Sequence, residues 1–304
     1  MTQLSNEILE KYQVRKTSKQ KSAFIDLLKK HFPQLAVEES GFPKCRNIII
    51  GDLEQAKVVL TAHYDTCARS PLPNFIMPKN LLLSLLYGLI MTLPGILIAY
   101  AAVLLLLPLA LDAMTYYWVA LGIYFLYTLL LVVGPANKHT ANDNTSGVIT
   151  LCELLKTLSD QQKAQLAFVF FDHEESGLIG SARFRAKHKK IMKDKLLINL
   201  DCVSDGNHFL IAASKDARNQ YGDLLKGCFS PTKELSVMFS NLERVLYPSD
   251  QAGFKTAVAI AALKYKKGLG YYMNRIHTAK DTVFERRNIT YLCNSILDLT
   301  KKLR

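Results

Sequence analysis

The stretch from Phe168 to Ser181, FVFFDHEESGLIGS, decides how the rest of the chain is read. Its first four residues are an uninterrupted apolar run, the pattern of a strand buried on both faces. It then breaks into Asp172, His173, Glu174 and Glu175 before a turn at Gly177. Buried strands do not end in acid clusters for stability, because adjacent carboxylates beside a hydrophobic sheet repel each other and lose solvation. A cation is expected to hold them ionised, and a divalent metal is the simplest one.

The same pattern recurs on both sides. Lys57 to Thr61 is strand-like and runs into Ala62-His63-Tyr64-Asp65, and Leu196 to Leu200 ends in Asp201. Between them, Asn142 to Gly147 is a polar loop in which Asn144 to Ser146 can cap a helix with apolar residues at 148, 151, 154, 155 and 158. Asn6 to about Phe32 has helical spacing and reads as an amphipathic surface helix or pair, and Asn47 to Ile50 as a short strand before a Gly51-Asp52 turn. Tyr247 to Gln251 is a polar loop, alternation is weak from there to Lys267, and a helix rich in Leu and Ile closes the chain.

Strands alternating with helices imply an α/β fold, with a mostly parallel or mixed central sheet flanked by helices. In such folds sites gather outside the carboxyl ends of the strands. His63, Glu174, Glu175 and Asp201 each follow an apolar strand at that end, while Asp143 and His277 lie in loops that can join them. Two histidines and several carboxylates, without cysteine ligands, suit zinc or a comparable divalent ion.

Between Lys79 and Lys138 the composition changes abruptly, the only charged side chain being Asp112. It divides two apolar segments, Leu81 to Leu111 and Thr115 to Gly134; about 20 apolar residues span a bilayer as a helix, so both are long enough, the first with tilt or a kink at Pro94. The reading is a transmembrane helical hairpin, residues 79–134, inserted into one catalytic domain made of residues 1–78 and 135–304. Tyr116, Tyr117 and Trp118 form an interfacial anchor beside the turn, while Arg69, Lys79 and Lys138 flank the outer ends, which puts the globular part on the cytoplasmic side. A bilayer is therefore an expected partner.

The net charge of +12 over 304 residues does not imply nucleic acid, since no zinc-finger spacing or aromatic-studded basic motif is present. Its densest block, Arg183 to Lys195, is a solvated helix face or a lipid- or acid-facing patch. The six cysteines are scattered without a CxxC pair, as expected of reduced thiols, and Cys67 reads as a packing residue.

Five motifs in order, HYD at 63–65, NDNTSG at 142–147, FFDHEESGLIGS at 170–181, NLD at 199–201 and IHTAKDT at 276–282, resemble those of the co-catalytic di-zinc exopeptidases of metallopeptidase family 28. The resemblance covers nearly all of the chain outside the apolar insert and the N-terminal helix. It implies that Asp143 bridges two zinc ions, with Glu175 and His277 completing one site and His63 and Asp201 the other. It makes Glu174 the general base, with Asp65 orienting His63, Asp281 in a similar role and Tyr247 as oxyanion donor. The chain departs from the pattern at Gln251, where relatives often carry His or Tyr. The expected activity is a membrane-anchored aminopeptidase acting on peptides. The competing readings are a glutaminyl-cyclase-like acyltransferase, which works with one zinc, and a non-catalytic membrane scaffold.

Overall fold

The computed structural model describes residues 1–303. In chain order the elements are α1 (Gln3–Lys11), α2 (Ser18–His31), β1 (Ala36–Ser40), β2 (Cys45–Ile50), β3 (Val58–His63), α3 (Leu81–Leu106), α4 (Ala113–Val133), α5 (Thr145–Thr157) and α6 (Asp160–Lys163). There follow β4 (Leu166–Phe171), α7 (Ile179–Lys187), β5 (Leu196–Leu200), β6 (His208–Ala213), α8 (Lys215–Cys228), β7 (Ser236–Asn241), β8 (Ala257–Lys266), β9 (Gly270–Tyr272) and α9 (Arg286–Lys302).

One mixed sheet runs β1-β2-β4-β3-β5-β8-β6-β7, with β9 extending β8. Its middle is parallel: β3 lies between β4 and β5, and β5 pairs with β8. Alternate residues of these strands enter opposite cores. Leu60, Phe168 and Ile198 pack with Ile8, Phe24, Leu151 and Leu299 from the helices on one face, whereas Val59, Val169 and Leu197 meet Phe184, Met192 and Phe254 on the other. Burial on both faces is why β4 reads as an unbroken apolar run and β3 and β5 as nearly so, the buried Thr61 hydroxyl of β3 donating to Asn199 Oδ1 of β5 at 2.8 Å. It also explains β8, whose first seven residues are all buried. Without a wet face there is no alternation to read, and the sequence left that segment unassigned. The edge strands β1 and β7, with mixed burial, carry too weak a pattern to be seen in the sequence.

The N-terminal segment is a pair of helices, the second opened by a capping box between Thr17 and Gln20. It is not wholly a surface element, because Arg15 and Lys21 are buried.

The apolar insert forms α3 and α4, two helices long and apolar enough to cross a membrane. Pro94 lies inside α3, which continues through it. The helices pack at Gly95, where a Cβ would come within 2.4 Å of the Tyr127 ring, and the Tyr127 hydroxyl donates to Met91 O at 2.8 Å. Otherwise they stand clear of the body: only 11% and 0% of their most apolar windows are buried. Their roots are pinned by short β-bridges, Ile76 to Met273 before α3 and Ala68 to Ala136 after α4. Lys16 Nζ adds a bond of 2.7 Å to Val132 O at the carboxyl end of α4.

Candidate metal centre

Because β3, β4 and β5 are parallel neighbours, their carboxyl ends open on one edge. In register, His63 pairs with Phe171, so the acid-rich turn after β4 starts level with His63, and Asp201 follows β5 on the other side. The loop before α5 is docked there by Asn144. Its Oδ1 accepts from Gly147 N at 3.0 Å and Cys202 N at 3.2 Å, and its Nδ2 donates to Leu200 O at 2.8 Å. Gly147 is required by this approach, since a Cβ would lie 2.4 Å from Leu200 O.

Asp143 is thereby placed between the two histidines, one oxygen toward each. Oδ1 is 3.3 Å from His63 Nε2 and Oδ2 is 3.0 Å from His277 Nε2. His63 Nε2 is also 3.4 Å from Asp201, and His277 Nε2 is 3.2 Å from Glu175. Glu174 converges on the His63 side, with donor atoms of His63, Glu174 and Asp201 all within 4.8 Å of one another.

Around this cluster the carboxylates named from sequence take distinct roles. Asp65 accepts from the backbone N–H groups of Glu174 and Glu175 at 3.0 and 3.2 Å, while its carbonyl lies 3.1 Å from His63 Nδ1. It therefore fixes the acid turn as well as the ring. Asp281 does the same for the other loop, accepting from Asn142 N and Asp143 N at 2.9 and 3.0 Å. Asp172 faces away, paired with buried Lys21 at 2.5 Å. Tyr247 is buried beside Asp201 and donates its O–H to that residue's carbonyl at 3.1 Å, so its one proton braces the Asp201 turn. Three non-glycine residues at the centre hold left-handed backbone, His173 (φ 56°), Cys202 (φ 55°) and His277 (φ 61°), a strain of about 1 kcal/mol or more each that sites of function concentrate.

Three features escaped the sequence reading. Cys67 lies within reach of Glu175 and His277, its thiol pushed up by burial. Asp250, in the polar loop from Tyr247 to Gln251, is fully buried with neither carboxylate oxygen hydrogen-bonded. Arg15 is fully buried behind the centre, donating to Tyr64 O at 2.5 Å and Thr145 Oγ1 at 3.1 Å, so it ties the His63 segment to the Asp143 loop. Burial lowers its guanidinium to about 10. No local pattern signals these burials; only a helix rich in lysine and a polar loop are visible.

The electrostatics describe a site with too much negative charge for its protein partners. Burial opposes protonation of His63 and His277, yet the surrounding carboxylates push both well above the usual imidazole range. Burial, with Glu175, Asp201 and Asp250 nearby, raises Glu174 against the pull of His63. Burial raises Asp250 to about 7 and, with the charge of Asp143, Asp281 to about 8. Glu175 Oε1 and Asp201 Oδ1 are buried without a hydrogen-bond partner. Orphaned buried oxygens among imidazole nitrogens are a donor set that fits a divalent cation, zinc included.

A sequence-family model described as peptidase family M28 matches residues 126–291, a span that holds Asp143, Glu174, Glu175, Asp201 and His277. The chain belongs to peptidase family M28. Members of this family are zinc-dependent peptidases. Solved structures share the fold. A Zn-dependent exopeptidase from Parabacteroides distasonis superposes with a TM-score of 0.59 at 15% identity, over 99% of this chain and 96% of that one. Porphyromonas gingivalis glutaminyl cyclase gives 0.57 at 13%, over 98% and 95%. Legionella pneumophila LapA aminopeptidase gives 0.55 at 13%, over 98% and 69%. No curated protein matches the sequence.

Proposed function

We propose that this M28 chain is a membrane-anchored zinc exopeptidase, most simply an aminopeptidase that removes N-terminal residues from peptides. The observation that carries the reading is Asp143 standing between two histidines, one oxygen to each, with Glu174 beside them. On this reading His63, Asp143 and Asp201 would hold one zinc ion and Asp143, Glu175 and His277 a second. When bound, zinc supplies a Lewis acid for the scissile carbonyl and lowers the pKa of water.

The remaining chemistry belongs to the chain. Glu174 accepts a proton from the attacking water and returns it to the leaving amine. The burial and flanking carboxylates that raise its pKa favour that return. Asp65 holds Glu174 and Glu175 in register through their N–H groups. The His277 side chain is 33% exposed while those of His63 and Asp143 are 1% and 4% exposed, so on this reading a peptide's end enters from the His277 flank.

The hairpin, residues 79–134, is proposed as a membrane anchor inserted into a catalytic domain of residues 1–78 and 135–304. Its exposed leucines support this, and Arg69, Lys79 and Lys138 at the outer ends support a cytoplasmic catalytic domain. The glutaminyl-cyclase likeness of fold keeps acyl transfer as a second reading.

The test is hydrolysis of a panel of aminoacyl amides by detergent-purified protein and by Glu174→Gln, with ammonia release from glutaminyl peptides as the parallel assay. Amide hydrolysis lost in the variant supports the peptidase; cyclisation alone transfers the assignment to the second reading.

A further inference from the structure

Beside the metal centre lies a cavity of about 530 Å³ between the segment leading into the hairpin and the loop that carries His277. Its walls include Arg69, Ser70, Phe75, Arg275, Thr278 and Lys280, three cations with no carboxylate among the lining residues. Arg275 is held at 3.0 Å by Asp205. Among the described residues, the side chains of Arg69 and Lys280 have no ion pair or hydrogen-bond partner, and both are exposed.

The cavity and the centre share a wall. Ser70 N donates to His277 O at 2.7 Å, and Arg275 and Thr278 flank that histidine in sequence. His277 is also the most exposed of the five candidate ligands, so the centre opens on this flank. Lys280 follows His277 by three residues, so their Cα atoms lie at most about 11 Å apart, the reach of a three-residue extended peptide. The other wall is rigid: the Phe75 ring lies 5.5 Å from Tyr87 on α3 and 6.4 Å from Tyr272 on β9.

We propose that this cavity is a carboxylate-binding subsite that makes the enzyme selective for dipeptides and tripeptides with a free C-terminus, Arg69 and Lys280 seating the carboxylate while the other end of the peptide occupies the metal centre. The inference rests on the peptidase reading above. A planar guanidinium suits a carboxylate through paired N–H donors, and a lysine in the same wall adds charge without fixing direction. The cavity's place at the root of the hairpin also suits a lipid phosphate, and the experiment separates the two.

The probe is a set of Xaa-Gly-Gly tripeptides, each as free acid and as C-terminal amide. Wild type is expected to show KM about tenfold lower for the acids at similar kcat, the ratio that two exposed charge pairs supply together. In Arg69→Gln/Lys280→Gln the acid KM rises to that of the amide, the amide values stay unchanged, and the melting temperature stays at the wild-type value. Equal KM for acid and amide in wild type, or a preference that survives in the double variant, overturns the proposal. If wild type cleaves neither form, the peptidase reading fails and calorimetric binding to zinc-loaded protein decides the cavity: tighter acid supports it and equal affinity overturns it. A double variant that keeps the acid preference but loses its response to phosphatidylglycerol vesicles assigns the cavity to lipid and also overturns the proposal.

Discussion

The carboxyl edge of the sheet and the two-helix insert break opposite rules of folding. At the edge, Asp143, Asp201, Asp250 and Asp281 are buried, and oxygens of Glu175, Asp201 and Asp250 find no protein partner. In the insert, leucines from Leu81 to Leu130 are exposed with nothing covering them. Uncompensated buried charge and uncovered apolar surface are both unfavourable in water, so each region is complete only with something the polypeptide does not provide. On the proposed function that component is a cation for the edge and an apolar phase for the insert. The lesson is that an apparent defect of a fold, read by its sign, states the chemistry of the missing partner.

The largest effect is expected at the insert. Leu89→Lys, Leu93→Lys and Leu97→Lys together place three charges on the exposed face of α3, at about 3 kcal/mol each if that face meets lipid. Loss of the protein from the alkali-resistant membrane fraction is expected; retention would show that α3 does not face lipid. At the edge, Glu174→Gln is expected to reduce hydrolysis about a thousandfold while bound metal is unchanged, which assigns Glu174 to proton transfer rather than metal binding. Loss of metal together with activity would make Glu174 a ligand instead.

A smaller effect tests what supports the edge from behind. Arg15→Met leaves Tyr64 O and Thr145 Oγ1 without their donor and is expected to lower stability by about 2 kcal/mol. It should also weaken zinc binding, read by chelator competition, because the two segments it ties carry His63 and Asp143. Unchanged zinc affinity would reduce Arg15 to a packing role.

The smallest effect is on pH dependence. In the metal-free chain Asp250 at about 7 and Asp281 at about 8 hold protons that the unfolded chain has already released. Raised carboxyls of this kind make stability fall as pH rises from about 4, the unfolded value, through the folded values. Thermal melts in chelator should therefore drop by several degrees between pH 6 and pH 8, whereas zinc-loaded protein should change less. Parallel curves with and without zinc would show that the acids are balanced by protein groups alone.

The two regions were also unequally legible in the sequence. The insert announces itself through the absence of charge, a property of local composition, and α3 and α4 fall close to the expected bounds. The edge was legible where strands buried on both faces stop at ionisable residues, as at His63, the Glu174-Glu175 pair and Asp201. It was illegible where burial is set by distant partners. Arg15 is buried by contacts 49 and 130 residues away, and Lys21 by Asp172, 151 residues away, so neither departs locally from a solvated helix. Asp250 sits in a loop whose polar composition says nothing of its burial, and β8 lost its alternation by being covered on both sides.

Whether the carboxyl edge holds two cations that share Asp143 is decided by the metal content of detergent-purified protein and of Asp143→Asn. About two zinc ions per chain are expected in wild type and loss of both in the variant, since each of the two candidate sites draws on that carboxylate. Wild-type protein without bound zinc, or a variant that keeps its full complement, would contradict this arrangement.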